Sequence, residues 1–240
     1  MSLITSLLSV FDLHTENRIF NKLTEILNGK ANNVIDVGAH KGEFIIKLSK
    51  NIKLTNAISF EPNPEIFKIL NLKTSSLQKK GILKIFNLGA GVKNTNEILN
   101  VNIESSSSSI NNLNTNSQYF IRKNKILNFF NNKKITKPVK IEIINLGNFV
   151  KKLDILNIDL LKIDTEGYEF NTLQGTQDIL KNIKVVHFEH HFDDMIIKNY
   201  KLSDIHNLLV DNKFKKYFKI KMKFRKSFEY IYYNTNLIDL

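Results

Sequence analysis

Short apolar runs alternate with amphipathic stretches along most of this chain. Glu16 to Leu27 carries apolar residues at Ile19, Phe20, Leu23, Ile26 and Leu27, a helical spacing that Asn28-Gly29 stops. Val34 to Val37 reads as a buried strand, and a Gly-rich turn leads from it into a helix over Gly42 to Lys50. Ala57 to Phe60 reads as a second strand, broken by Glu61-Pro-Asn-Pro64, whose prolines can start a helix over Glu65 to Leu72. Ile82 to Leu88 alternates as a third strand and ends at Gly89-Ala-Gly91. Val139 to Ile144, Leu160 to Ile163 and Val185 to Glu189 are further strands, and Phe170 to Leu180 and Leu202 to Val210 are helices. Phe214 to Ile220 and Phe228 to Tyr233, rich in aromatic and β-branched residues, read as an antiparallel pair.

Strands alternating with helices imply an α/β fold with a mostly parallel sheet and helices on both faces. The final hairpin adds antiparallel strands at one edge. One domain over residues 30–240 is expected, preceded by an N-terminal helical extension over 1–29. An insertion over about 94–140 interrupts it. That stretch holds the run Ser105 to Ser109, many Asn residues and scattered apolar positions, and it reads as one long loop.

Composition narrows the picture. The chain has 240 residues and a 42% apolar share, enough for a sizeable core. No apolar run approaches the roughly 18 residues of a membrane span. The start, Met1 to Phe11, lacks a basic region and reads as helix, not as a signal peptide. There is no cysteine, which excludes disulfides, a Cys metal site and a thiol nucleophile and is compatible with a cytoplasmic protein. The net charge is +12, with lysines clustered over Lys213 to Lys226. Such a balance fits nucleic-acid or anionic-surface binding, yet abundant Lys, Asn and Ile also follow from codon bias alone.

Chemistry concentrates at the ends of the apolar strands, where open α/β sheets bind their ligands. Asp36-x-Gly38-x-x-x-Gly42 is a tight strand-to-helix turn, and amides at the start of the helix favour an anion. Asp36 before the first Gly suits a cation-bearing ligand, such as an amino acid with its α-ammonium group. Glu61, 25 residues later, can accept from both hydroxyls of a ribose or can cap the next helix. Asp164 and Glu166 follow the run Leu160 to Ile163. Two residues apart on extended backbone they would point the same way, and crowding would raise a pKa and poise one as a base, unless they only cap the next helix. Glu189, His190 and His191 end a strand close to Asp193 and Asp194, which raises the question of a metal. No H-E-x-x-H spacing is present and no metal is expected. His190 as a general base, or as a structural residue, is the simpler reading. His40 reads as a neighbour of the ligand.

Several of these segments together resemble the FkbM family of S-adenosylmethionine-dependent methyltransferases. They are Val34-Ile-Asp-Val-Gly-Ala-His-Lys-Gly-Glu43, Phe60-Glu-Pro-Asn-Pro64, Asn87-Leu-Gly-Ala90, Leu161-Lys-Ile-Asp-Thr-Glu-Gly-Tyr-Glu169 with Leu173-x-Gly175, and Phe188-Glu189. The K-I-D-x-E-G-x-E segment is the specific one, and the match runs from about residue 30 to 192. One departure is visible: Ile144-Asn-Leu-Gly147 stands where the family usually has T-L-D. The resemblance implies a class I methyltransferase, Rossmann-like, with a seven-stranded sheet and S-adenosylmethionine as cofactor. Asp36, Gly38, Ala39 and Gly42 would line its methionine end, Glu61 would hold the ribose, and Asn87 to Ala90 would sit near the adenine. Asp164 and Glu166 would face the transferred methyl. The acceptor would be a hydroxyl on a sugar, glycan or secondary metabolite, with Asp164 or Glu166 as first choice of base and His190 as second.

Two other functions compete. A nucleic-acid methyltransferase is favoured by the charge but lacks the N/D-P-P-Y/F motif of amino methylation. A non-catalytic binding module would show a broken ribose acid or a filled Gly turn, and neither is present. A dehydrogenase is disfavoured by the missing G-x-G-x-x-G.

Overall fold

The structure, a computed structural model, describes residues 3–101, 108–111, 114, 116–117, 137–194, 196–222 and 226–240, with side chains from His14 onward. Seven strands form the main sheet: β1 (Lys30–Val37), β2 (Lys53–Phe60), β3 (Leu83–Phe86), β7 (Ile158–Ile163), β8 (Ile183–His191), β9 (Phe214–Lys221) and β10 (Ser227–Asn234). Their spatial order is β3-β2-β1-β7-β8-β10-β9. All neighbours are parallel except the two pairs that β10 makes, with β8 and β9. The order reverses at β1, so the strand ends of β1 and β7 frame the crevice where such sheets take ligands.

Successive residues on a strand face opposite sides, and two cores result. Ile35, Leu161, Phe188 and Tyr230 pack on one face, against the helices α5 (Leu146–Lys152), α6 (Glu169–Gln174) and α7 (Leu202–Asp211). Val34, Leu160, Val185 and Ile231 pack on the other, against α1 (Leu3–Ile26) and α2 (Glu43–Asn51). The C-terminal half of α1 supplies Ile19, Phe20, Leu23 and Ile26 to that second core. The helices α3 (Pro64–Lys73) and α4 (Ser75–Lys79) connect β2 to β3. Asn63 caps α3, accepting from the Glu65 amide at 3.0 Å, with Pro64 at the first helical position. Among the described residues no helix is long and apolar enough to cross a membrane.

Two expectations from the sequence need correction. The first concerns the segment read as a single loop. β5 (Thr95–Val101) lies inside it and pairs with β6 (Lys137–Asn145), which also pairs with the short β4 (Gly89–Gly91) in a separate three-stranded sheet. Thr95 to Val101 buries only Leu99 fully, so its apolar signal is faint. Most of residues 102–136, the rest of that insertion, lie outside the described residues.

The second concerns the helix expected over Phe170 to Leu180. α6 stops at Gln174, and a separate 3₁₀ turn covers Gln177–Asn182. At Gly175 the chain passes so close to β4 that a Cβ there would fall 1.9 Å from the Gly91 carbonyl oxygen. Periodicity alone could not report this break, because it arises from a contact with a distant strand.

Candidate active site

A cavity of about 340 Å³ opens at the C-terminal ends of β1 and β7. Gly38 and Ala39 from the first turn, Glu61 after β2, Ala90 in β4, and Asp164 and Glu166 after β7 all stand on its wall. α1 adds Ile19 and Phe20, and the inserted segment adds Ser108 and Ile110.

The floor is a polar row across the sheet. Ser59, Asp36, Lys162 and His187 are register neighbours on β2, β1, β7 and β8, all on the α1–α2 face. Lys162 Nζ lies 3.4 Å from Asp36 Oδ1 and 3.4 Å from Asp164 Oδ2, and it donates to the Gly38 carbonyl at 3.2 Å. Burial works against the charge on Lys162, but Asp164 and Asp36 outweigh it and hold the ammonium above its ordinary range. Phe44 of α2 covers the row, its ring 5.4 Å from the Lys162 ammonium and 5.7 Å from the His187 ring. At the far end His187 Nε2 lies 2.9 Å from Glu229 Oε2 on β10.

Glu61 is held rigidly. Its Oε2 accepts from the His40 amide at 2.9 Å and its Oε1 from the Asn63 amide at 2.9 Å. Burial pushes its pKa up, and the two amides pull it back. Asn87 is not on the wall; its amide group donates to the Glu61 and Pro62 carbonyls at 2.8 and 3.0 Å and so fixes this turn from behind.

The turn after β7 is pinned by Glu169. Its Oε1 accepts from the Thr165 amide at 3.2 Å and the Gly167 amide at 2.8 Å. The Tyr200 hydroxyl donates to its Oε2. From the inserted segment, Ser109 Oγ donates to the Glu166 carbonyl at 2.7 Å and Asn111 to the Gly167 carbonyl at 2.6 Å. The insertion therefore reaches the rim of the cavity.

Besides Asn87, the site residues differ from the sequence reading at four places. Asp36 lies beneath the wall, fully buried, with Lys162 and Ser59 as partners, so its carboxylate does not face the cavity. Gly42 is also off the wall; it sits in the left-handed region as the N-cap of α2. Asp164 and Glu166 do not share an extended segment, because Glu166 has φ +50° and Gly167 φ +97°. Each meets a different cation, Asp164 the Lys162 ammonium and Glu166 the His191 ring at 3.4 Å. Mutual crowding does not raise Asp164 either: burial acts upward, but Lys162 and His191 outweigh it and its pKa is lowered. Finally, His190 points to the other face. It packs against Phe192 and Tyr200, and burial with the nearby Lys198 pushes its pKa down to about 4. Strand alternation puts His187, Glu189 and His191 on the cavity face instead.

Sequence reasoning gave no role to Lys162 or His187. The available signal was a lysine inside the otherwise apolar run Leu160 to Ile163. A fully buried Lys is rare unless paired, which demanded a partner on an adjacent strand. Among the described residues no group of His, Asp or Glu has the arrangement to hold a metal ion.

The pattern described as Methyltransferase FkbM domain matches residues 36–216. The chain belongs to the FkbM methyltransferase-domain family. Solved structures show the same fold. The FkbM methyltransferase of Methylobacillus flagellatus KT superposes with a TM-score of 0.50 at 13% identity, over 84% of this chain. This chain spans only 44% of that longer protein. The magnesium protoporphyrin IX methyltransferase of Synechocystis PCC 6803, solved with bound SAM, gives a TM-score of 0.54 at 10% identity, over 98% of this chain and 85% of that one. At these identities the likeness is one of fold. No curated protein matches the chain. The sheet order, with its single antiparallel strand next to β8, is that of class I methyltransferases.

Proposed function

We propose that this FkbM-family chain is an S-adenosylmethionine-dependent O-methyltransferase acting on a hydroxyl of a sugar, glycan or secondary metabolite. The observation that carries the reading is Glu61, fixed by two backbone amides on the wall of the cavity beside Gly38 and Ala39. A carboxylate held there suits the two ribose hydroxyls of a nucleoside cofactor. The cavity volume of about 340 Å³ falls in the ordinary range for small-molecule sites. Acidic side chains outnumber lysines along the wall, with Glu16, Glu43, Glu61, Asp164, Glu166, Glu189 and Glu229 against Lys47 and Lys162. Such a wall favours a ligand carrying positive charge.

When bound, S-adenosylmethionine supplies an electrophilic methyl on a sulfonium. The chain's own contribution is to position the acceptor and to remove its proton. Orientation of this kind can lower a barrier by about 7–11 kcal/mol. A positioned base adds roughly 10²–10⁴-fold. Asp164 and Glu166 are the carboxylates assigned to the reacting end, Asp164 orienting through its Lys162 pair and Glu166 through His191. Glu61, Gly38, Ala39 and Ala90 are assigned to the cofactor, with Asp36, Gly42 and Asn87 acting from behind the wall.

The +12 charge favours a second reading, a nucleic-acid acceptor. The acidic wall opposes it, because a phosphate backbone would meet like charge at the reacting end. Transfer of labelled methyl from S-adenosylmethionine, scored over neutral glycosides and over total RNA, separates the two. Label in a glycoside is expected; label in RNA alone would overturn the sugar assignment.

A further inference from the structure

Glu189, near the end of β8, is a third carboxylate placed to receive the acceptor's proton, beside Asp164 and Glu166. Its carboxylate is on the cavity wall yet only 5% exposed, and its Oε1 makes no hydrogen bond. A buried carboxylate oxygen without a hydrogen bond is costly, and here it lies beside a second such atom, Nε2 of His191. His191, two residues along the same strand face, stands beside it with Nε2 3.7 Å from that oxygen. The same ring lies 3.4 Å from Glu166 and, through Nδ1, 3.7 Å from Asp193.

We propose that Glu189 is the catalytic proton acceptor of this site, taking the proton of the acceptor hydroxyl, and that His191 is the positioning residue that holds it against Glu166. The proposal rests on the methyl-transfer reading. In the balanced step the acceptor oxygen gains its bond to the methyl carbon as the methyl–sulfur bond breaks. The electron pair stays on sulfur, and the hydroxyl proton moves to Glu189.

The charges around each candidate favour Glu189 over Asp164. Asp164 is drawn down by Lys162 and is therefore a weak base at neutral pH. Glu189 is pushed up to about 8 by burial and by the carboxylates of Asp164, Glu229 and Glu166, against the opposing pull of His191. A base is most effective with a pKa near the working pH. A cation entering the cavity would stabilise the ionised carboxylate, so the protonated Glu189 would shed its proton as the sulfonium binds.

The test needs no acceptor. Calorimetric titrations of S-adenosylmethionine and S-adenosylhomocysteine, each in two buffers of different ionisation enthalpy, count the protons released. The sulfonium ligand should release up to about one proton more than the neutral thioether at neutral pH. Glu189→Gln should abolish that difference and leave S-adenosylhomocysteine binding intact. His191→Asn should move the half-point of release to higher pH, since loss of the imidazolium raises the Glu189 pKa. Equal release by both ligands, or a difference that survives in Glu189→Gln, would overturn the proposal. If Glu189→Gln does not fold, the carboxyl carbon resonance of Glu189→Asp compared with wild type reports the same ionisation directly. Failure of both ligands to bind is a different result and removes the methyltransferase reading with it.

Discussion

The carbonyl oxygen of Asp164 occupies the place that a side chain on Gly38 would need: a Cβ there would lie 1.8 Å from it. The end of β7 thus lies directly against the first turn after β1, and Gly38, at φ +77°, is the residue that permits it. Because backbone blocks the space, Gly38→Ala must push the two strand ends apart. We expect a loss of roughly 3 kcal/mol or more in urea denaturation, with cofactor affinity falling too. Wild-type stability in that variant would contradict the close approach.

Lys162 stands between two carboxylates with 8% of its side chain exposed. Lys162→Met leaves both without their cation, and breaking a buried pair typically costs about 3–5 kcal/mol. Adding Asp36→Asn removes one of the stranded charges. The double variant should therefore be more stable than Lys162→Met alone, as measured by urea midpoints. A double variant that is the less stable of the two would show that the pair is not the source of the cost.

Much of the fold was legible because β1, β7 and β8 each carry a short apolar stretch rich in Val, Ile and Leu (Val34 to Val37, Leu160 to Ile163, Val185 to Phe188), too short for a helix and close to turn residues. Glu61 and the K-I-D-x-E-G-x-E segment were visible for the same reason: carboxylates directly after a buried strand stand out. The Asp36–Lys162 pair was not legible, since the partners are far apart in the chain and meet only through strand order. Of the two readings open for His190, base or structural residue, the geometry favours the second, because β8 runs on to His191 and its alternation turns His190 away from Glu189 and His191. The break at Gly175 and the strand Thr95 to Val101 depend on tertiary contacts with β4 and β6 that no local pattern encodes.

The Glu189–His191 pair binds protons more tightly in the folded chain than in the unfolded one. His191 is raised from 6.5 to about 10: burial opposes its charge, but Asp193, Glu189 and Glu166 outweigh burial. Its contribution is therefore complete below 6.5 and is lost as pH rises towards 10. Glu189, raised from 4.5 to about 8, acts in the same direction. Stability should fall by roughly 1–3 kcal/mol between neutral and alkaline pH, and His191→Asn should flatten that slope. Denaturation midpoints across the range check it; a stability that rises with pH would contradict it.

Glu169 is 1% exposed and satisfies the Thr165 and Gly167 amides. Glu169→Ala orphans both and should cost roughly 2–4 kcal/mol. Tyr200→Phe, which removes one donor to the same carboxylate, should cost less, about 1–2 kcal/mol. Thermal or chemical denaturation ranks the two, and an equal or reversed order would show that the turn is held by something other than Glu169.

The central claim is that Glu61 holds the ribose of S-adenosylmethionine. Calorimetric titration of S-adenosylmethionine and S-adenosylhomocysteine into wild type and Glu61→Ala tests it most directly. The account predicts micromolar binding to the wild type and a loss of about a hundredfold or more in Glu61→Ala. Absence of binding to the wild type, or equal affinity in the two proteins, would contradict it.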